Sequence, residues 1–364
     1  MDNTQLILLD ESFNQEMLSI LEGSPVTTNG LSLYFDKTPD IFEISRFKYS
    51  ESTHLGFFIN GSLKGFGSLG YYNALVQGKV EKVFTFYNFY LLPEARGKQI
   101  PLQAMKTFFF NAEGKANFGI SITMKGNRSA ESYIGRKTES WMPATKVIDE
   151  LVVKSILFAF PKKNETSYTV RNARMADIPT IVQLLNAEHT QRDFGLIFNE
   201  NTFQSVMQNR QIEIEQYFVA MDRTGSIKGV CLAWDCNSFR RTKVLSFSLK
   251  FYPSLLFYKT LEKIFPLAAF PKKGESFREL TLTDYAVMNR DPEIMHALLS
   301  EIYRRHHNRK YHFMNWASCG SDPLLKAANG FWYHNINSHI IFTSMDPVFY
   351  NREIRLPYVD IAFI

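Results

Sequence analysis

Leu91-Leu92-Pro93-Glu94-Ala95-Arg96-Gly97-Lys98-Gln99-Ile100-Pro101-Leu102 gathers the residue types that hold a phosphate. Gly97 permits close backbone approach, Arg96 and Lys98 supply two cations, and the amphipathic run that follows supplies a helix N-terminus. Backbone N–H groups at such an end, together with the helix dipole, favour an anion. Other clusters point elsewhere. His306, His307 and His312 stand among Arg304, Arg305, Arg309 and Lys310. Metal sites on helices want His at i, i+4 with a carboxylate, so this cluster reads as a basic helix C-terminus that complements the dipole. Arg240-Arg241-Thr242-Lys243 reads as a solvated hairpin tip. Cys231, Cys236 and Cys319 form no CxxC pair and have no His at ligand spacing, so no metal site and no disulfide framework are expected. Gly-x-Ser-x-Gly, His-Glu-x-x-His and Walker loops do not occur, which leaves hydrolase, zincin and NTPase readings without support.

The phosphate-type loop needs a strand before it and a helix after it. Val83–Leu92 is nearly continuous in apolar and aromatic residues and ends at Pro93, the pattern of a central strand covered on both faces. Leu102, Met105 and Phe109 recur at i, i+3, i+7, one face of a helix. Phe118, Ile120, Ile122 and Met124 alternate with Gly119, Ser121 and Thr123, a strand, and Ala130–Ile134 is a short helix. Upstream, Gln15–Leu21 is helical, and His54–Asn60 and Leu63–Tyr72 form a hairpin turned at Asn60-Gly61. Val147–Phe158 closes this half.

A polar break at Pro161-Lys162-Lys163-Asn164-Glu165 restarts the pattern. Tyr168–Arg171 is a strand, and Asp177 is an N-cap with Pro179 in the first turn of a helix lined by Ile178, Ile181, Val182 and Leu185. Gln216–Met221 and Gly229–Trp234 are strands joined through Thr224-Gly225, and Leu280–Val287 is another. Asp291-Pro292 opens a helix with Ile294, Leu298 and Ile302 at helical spacing. Tyr311–Ala317, Pro323–Ala328 and His339–Thr343 supply a strand, a short helix and a final hairpin element. Both halves therefore share an order of elements without a residue-level repeat.

The chain has 364 residues, 45% hydrophobic and 21% charged, with mean hydropathy −0.18. That is a globular balance with material for two cores, and it excludes disorder, collagen-like repeats and coiled coil. Its 32 Phe, 17 Tyr and 4 Trp make it 15% aromatic. The rings either form stacking platforms for a ligand or fill the cores, and core filling is the expectation. The net charge of +5 is too small for a nucleic-acid footprint. It is unevenly spread, since residues 1–50 hold 3 basic and 8 acidic groups, and residues 79–163 hold 14 basic and 7 acidic. The positive middle segment is where a phosphate-bearing ligand is expected. The start of the sequence has no signal-peptide pattern, and no apolar run reaches 18 residues, so a cytoplasmic protein without membrane spans is expected.

Leu92, Pro93, Arg96, Gly97, Lys98 and Ile100 resemble the pyrophosphate-binding motif of the GNAT acyltransferase superfamily, in which a central strand ends in an apolar-x-Pro before Arg-Gly-x-Gly-x-Gly/Ala. Gln99 and Pro101 stand where the later small residues usually sit, and Pro101 has no N–H to donate. Asn127-Arg128-Ser129-Ala130-Glu131-Ser132-Tyr133 is similar to the family's Asn-x-x-Ala followed by a Tyr, here one residue early. Pro323–Tyr333 is similar to the equivalent small helix and Gly-Phe of a second copy, whereas Val287–Pro292 has no Arg-Gly-rich loop.

The resemblance spans nearly the whole chain. It implies an α/β (α+β) protein of two tandem GNAT-like folds, each a mixed, mostly antiparallel sheet flanked by helices. Residues 1–163 would carry an acyl-CoA site, and residues 164–364 would lack their own loop. Acetyl-CoA or another acyl-CoA is the implied co-substrate, held by Leu91, Leu92, Arg96, Gly97, Lys98, Gln99, Ile100, Pro101, Leu102 and Asn127. The implied reaction is attack of a small-molecule or peptide amine on the thioester. That needs a base, an oxyanion donor and an acid, and the acid would be Tyr133. The central strand has no carboxylate between Thr85 and Tyr90. Glu81 is the nearest upstream acid; water relayed by Tyr87 or Asn88, a carboxylate of the second half, or the carboxylate of Ile364 are the alternatives. A degenerate ligand- or partner-binding pair and a Fem-like aminoacyl or peptidyl transferase are rival readings. The acceptor, acyl length and oligomeric state are left open.

Overall fold

A computed structural model of the chain describes residues 3–28, 30–96, 100–135, 141–162 and 166–364, with the backbone alone for residues 100, 101, 347 and 348. The first half runs β1 (Thr4–Leu9), α1 (Asn14–Glu22), β2 (Val26–Thr28), β3 (Leu31–Asp36), α2 (Glu43–Lys48), β4 (Glu51–Ile59), β5 (Ser62–Val76), β6 (Lys79–Leu91), α3 (Ile100–Ala112), β7 (Phe118–Met124), α4 (Arg128–Glu131) and β8 (Ala144–Leu157). The second continues with β9 (Thr169–Asn172), α5 (Ile178–His189), α6 (Glu200–Asn209), β10 (Tyr217–Met221), β11 (Ile227–Trp234), β12 (Arg241–Phe247), α7 (Tyr252–Ile264), β13 (Ser276–Phe277), β14 (Glu279–Val287), α8 (Pro292–His306), β15 (Phe313–Cys319), β16 (Tyr333–Ser344) and α9 (Pro347–Tyr350).

Twelve of the described strands form one mixed sheet in the order β1-β4-β5-β6-β7-β16-β8-β15-β14-β11-β10-β9. Its ladders are antiparallel except β6 with β7 and β14 with β15. Two long excursions hold the middle together. β16 lies between β7 and β8, while β8 lies between β16 and β15. A strand from each side of the polar break thus completes the ladder of the other. A second sheet, β13-β12-β3-β2, joins strands of both halves.

β6 behaves as its composition predicts. Phe86 turns to one face and meets Phe108 and Phe109 of α3, with ring centroids 5.7 and 5.0 Å apart. Tyr87 turns to the other and lies 4.7 Å from the ring of Tyr49. A Phe fully removed from water contributes about 1.5–3 kcal/mol, so this strand anchors two cores at once. The buried stripe of α3 is Ala104, Phe108, Phe109 and Ala112. The predicted stripe was rotated, because Ala carries little hydrophobic signal although it lets the helix sit close to the sheet. Asn60 and Gly61 both have positive φ, 50° and 77°, as a two-residue hairpin requires.

Four expectations change. The final hairpin element is the long central strand β16. α6 and α7 occupy stretches left unassigned. Asp177 makes no cap bond to α5; its carboxylate instead accepts from Arg171 at 2.6 and 2.9 Å and from the Arg174 amide. Finally, Arg241–Lys243 is no solvated tip, since these residues pair with Asp36, Phe35 and Tyr34 of β3.

Candidate functional site

β6 and β7 run parallel but pair at a single position, Phe84 with Gly119. The contact is so close that a Cβ on Gly119 would lie 2.2 Å from the Phe84 carbonyl oxygen. Two residues on, the Phe86 amide donates to the Ser121 hydroxyl at 3.3 Å in place of a ladder bond, and the strands then part into a fork. At the mouth of the fork β6 bulges. Tyr87 pairs with Ser68 and Tyr90 with Phe66, so Asn88 and Phe89 together oppose Gly67, and Asn88 takes φ 53°. Asn tolerates this left-handed conformation better than other non-glycine residues. The bulge turns Tyr87 and Tyr90 to the same face, which plain alternation would not do.

The sequence-predicted residues fall in three places. Leu91 and Leu92 end β6 and are half-buried, with Leu91 against the α3 core and Leu92 against the α1 core. Arg96 is exposed, and its Nε donates to the Leu91 carbonyl at 3.4 Å. Gly97, Lys98 and Gln99 lie outside the described residues, as do the side chains of Ile100 and Pro101. The backbone from Ile100 opens α3, with Leu102 half-buried. Asn127 is the N-cap of α4, its Oδ1 accepting from the Ala130 amide at 3.3 Å. Half-buried Tyr133 lies in the turn after α4, beyond the same end of β7. These groups therefore collect at the open end of the fork. Glu81 does not join them. It pairs with Ala74 near the β5–β6 hairpin, ten residues before Leu91, or roughly 33 Å along an extended strand. Ile364 follows a 3-10 turn, Ile361–Phe363, and is partly exposed. That turn packs beside the fork's tyrosine face, since the Lys48 ammonium lies 5.3, 5.6 and 5.8 Å from the rings of Tyr49, Tyr72 and Phe363.

The face of β6 away from α3 is polar, buried and incompletely satisfied. His54, Ser68 and Tyr87 stand in register across β4, β5 and β6. The His54 Nδ1 and the Ser68 hydroxyl are 2.8 Å apart, and burial pushes the imidazole down to about 4. Burial also raises the Tyr87 phenol to about 12. Thr85 Oγ1, Tyr87 OH, Tyr49 OH and Asn88 Nδ2 are buried with no hydrogen-bond partner among the described residues. Unpaired buried polar atoms are costly, so such a group marks where water or a ligand is received. The ammonium of Lys37, 3% exposed, donates to Asn88 Oδ1. Sequence reading missed Lys37, His54 and Arg240 as site residues. The one available signal was Arg240 itself, placed in a basic turn whose strand partner could not be seen.

No protein-family model matches the sequence, and no curated protein sequence matches it. Solved structures do. Saccharomyces cerevisiae N-myristoyltransferase with bound myristoyl-CoA superposes with TM-score 0.60 over 94% of this chain and 79% of that one, at 13% identity. A conserved Enterococcus faecalis V583 protein of unknown function, described as a probable N-acyltransferase, gives 0.53 over 95% and 73% at 11% identity. A GCN5-related N-acetyltransferase from Anabaena variabilis gives 0.52 over 94% and 73% at 10% identity. The chain has the GNAT fold. Its neighbours in structure are N-acyltransferases or described as probable ones, and the parallel strand pair that parts beyond one contact is the feature of this sheet beside which the candidate residues collect.

A second fork lies in the other half of the same GNAT sheet and is closed. β14 and β15 pair from Glu279–Phe313 to Leu282–Trp316, and beyond them Tyr285 crosses the gap. Its hydroxyl donates to the Ala317 carbonyl at 3.0 Å and lies 3.1 Å from the Ser318 hydroxyl. The loop that follows carries Arg290, held by the carboxylates of Glu188 and Asp322. That cation is committed to buried ion pairs. Among the described residues no group of three His, Cys, Asp or Glu side chains is placed to hold a metal ion, and no helix is long and apolar enough to cross a membrane.

Proposed function

We propose that the protein is an N-acyltransferase that uses an acyl-CoA and passes the acyl group to a primary amine. The observation that carries this reading is the open fork between β6 and β7, with Arg96 and the start of α3 at its mouth, beside a second fork that is filled. The acyl-CoA pyrophosphate would lie beside Arg96 and the first turn of α3, where a cation and a helix N-terminus favour it. The thioester would reach into the fork. The amine attacks its carbonyl carbon, the tetrahedral intermediate collapses, and the CoA thiolate leaves with a proton from Tyr133. Acetyl-CoA is the donor to try first.

The base is the unusual part. At fork level β6 offers Thr85, Tyr87 and Asn88, all uncharged, and Glu81 stands at the far end of the strand. The unpartnered Thr85 Oγ1, Tyr87 OH and Asn88 Nδ2 favour a water relay that carries the ammonium proton out along this face. The absence of a carboxylate from this stretch also favours a second reading, a pair of GNAT folds that binds an acyl-CoA without turnover. Isothermal titration with acetyl-CoA and with CoA, followed by thiol release with a panel of primary amines, separates the two. Binding with release supports the transferase, and binding without release supports the second reading. No binding at millimolar concentration ends both.

A further inference from the structure

The two bulges are counterparts, and their difference says what the open one lacks. In the second half Thr283 pairs with Leu232 and Ala286 with Val230, so Asp284 and Tyr285 together oppose Cys231. Asp284 has φ 41°, as Asn88 has φ 53°. Each bulge residue faces a buried cation. Asp284 Oδ2 lies 3.4 Å from Arg210 Nη1 and accepts from the Tyr217 hydroxyl at 3.1 Å, with Asp360 3.9 Å from the same guanidinium. In the first half the cation is Lys37 and the bulge residue is an uncharged amide.

Lys37 has no carboxylate within ion-pair distance among the described residues. Its neighbour Asp36 is already used, accepting from Arg241 at 2.9 Å, Lys243 at 3.0 Å and the Thr38 amide at 3.0 Å. The nearby charge is positive instead: Arg240 opposes the Lys37 ammonium, and burial and Arg240 together lower it to about 7. Arg240 itself reaches the Ile361 carbonyl at 2.5 Å. Spare donors stand here too, since Asn88 Nδ2 and Arg241 Nε are buried with no partner among the described residues. A buried, uncompensated cation beside spare N–H donors is the arrangement that an anion relieves. The half-buried Asn88, Tyr90 and Arg240 form its outer edge.

We propose that Lys37, Asn88 and Arg240 bind a carboxylate of the acceptor, so that the amine to be acylated belongs to an amino acid or to a peptide with a free C-terminus. The word acceptor rests on the acyltransferase reading; the anion site does not. A carboxylate is preferred to other anions because the buried cation of the second half, Arg210, is met by two carboxylates, Asp284 and Asp360. Around Lys37, His54 is held down to about 4 and the β6 phenols of Tyr87 and Tyr90 are raised to about 12, while Asp36 is paired. Among these groups it is Lys37, lowered to about 7, that changes charge near neutral pH. Carboxylate binding therefore weakens above pH 7 and draws in a proton.

The test is titration of the full chain, without acyl-CoA, at pH 6.5 with alanine against alaninamide and with alanylalanine against its amide. The acid of one pair is expected to bind at least tenfold more tightly than its amide, and which pair does so distinguishes amino acid from peptide. Lys37→Met is expected to erase the preference and Lys37→Arg to keep it. Asn88→Asp, which copies the second half, is expected to erase it too while raising the melting temperature. At pH 7.5 the heats should differ between buffers of different ionisation enthalpy, reporting proton uptake. Equal binding of acid and amide, binding of neither, or a preference that survives Lys37→Met overturns the proposal. Thiol release from acetyl-CoA that ignores the carboxylate leaves the transferase standing without this site. Carboxylate binding without any thiol release leaves the site without the transferase.

Discussion

Among the described residues the Arg96 side chain is tied to the fold by one weak bond, to the Leu91 carbonyl, so its removal reports chiefly on ligand. Arg96→Ala is expected to raise the acyl-CoA dissociation constant about tenfold or more, the value of one charge-assisted bond, with an unchanged urea midpoint; titration and urea melts check it. Lys37 has the opposite profile. Its ordinary pKa of 10.5 belongs to the unfolded chain, and in the fold it is about 7. Between those values the unfolded chain holds the extra proton, so stability rises with pH, and the full penalty of the buried charge is present below pH 7. Lys48, lowered by burial to about 8, adds in the same direction. The urea midpoint is expected to climb between pH 7 and 9, and Lys37→Met to flatten much of that climb. Arg96 could be singled out from its motif because a loop of that kind is local in sequence. Lys37 was not, because its significance comes from neighbours on β6 and in the β11–β12 turn.

Elements and their ends were the most legible level. β4, β5, β6, β7, α3, α5 and α8 follow from periodicity, because each buries a stripe set by its own repeat. Pairings were less so. The β6–β7 fork depends on one ladder position where Gly119 admits the Phe84 carbonyl. Gly119→Ala would place its Cβ 2.2 Å from that oxygen, which forces the backbone to move. It is expected to cost about 2–3 kcal/mol, as severe overpacking does, seen as a lowered urea midpoint with loss of acyl-CoA affinity. The bulge at Asn88 was invisible beforehand, since nothing in Tyr87-Asn88-Phe89-Tyr90 distinguishes a bulged strand from a regular one.

At the scale of the whole molecule the halves are mutually dependent. β7 and β8 both bond to β16, β8 bonds to β15 as well, and β3 bonds to β12, so residues 1–163 alone would expose three strand edges of the large sheet and one of the small sheet. Such edges template aggregation. The fragment 1–163 is therefore expected to be insoluble when expressed alone and to be recovered when co-expressed with 164–364, checked by sedimentation and co-purification; soluble, monomeric 1–163 would contradict the dependence. The sequence by itself determined the strands and helices with a clear side-chain period, among them β4, β5, β6, β7, α3, α5 and α8, because side-chain period and turn chemistry act over a few residues. Only the tertiary structure decided which fork stays open, which strand completes which ladder, and that Lys37 faces an amide where Arg210 faces a carboxylate. The physical reason is distance along the chain. Arg241 of β12 donates to the carbonyl of Thr38, just beyond β3, 203 positions away, and no local pattern records which cation will meet which counter-charge once the sheets close.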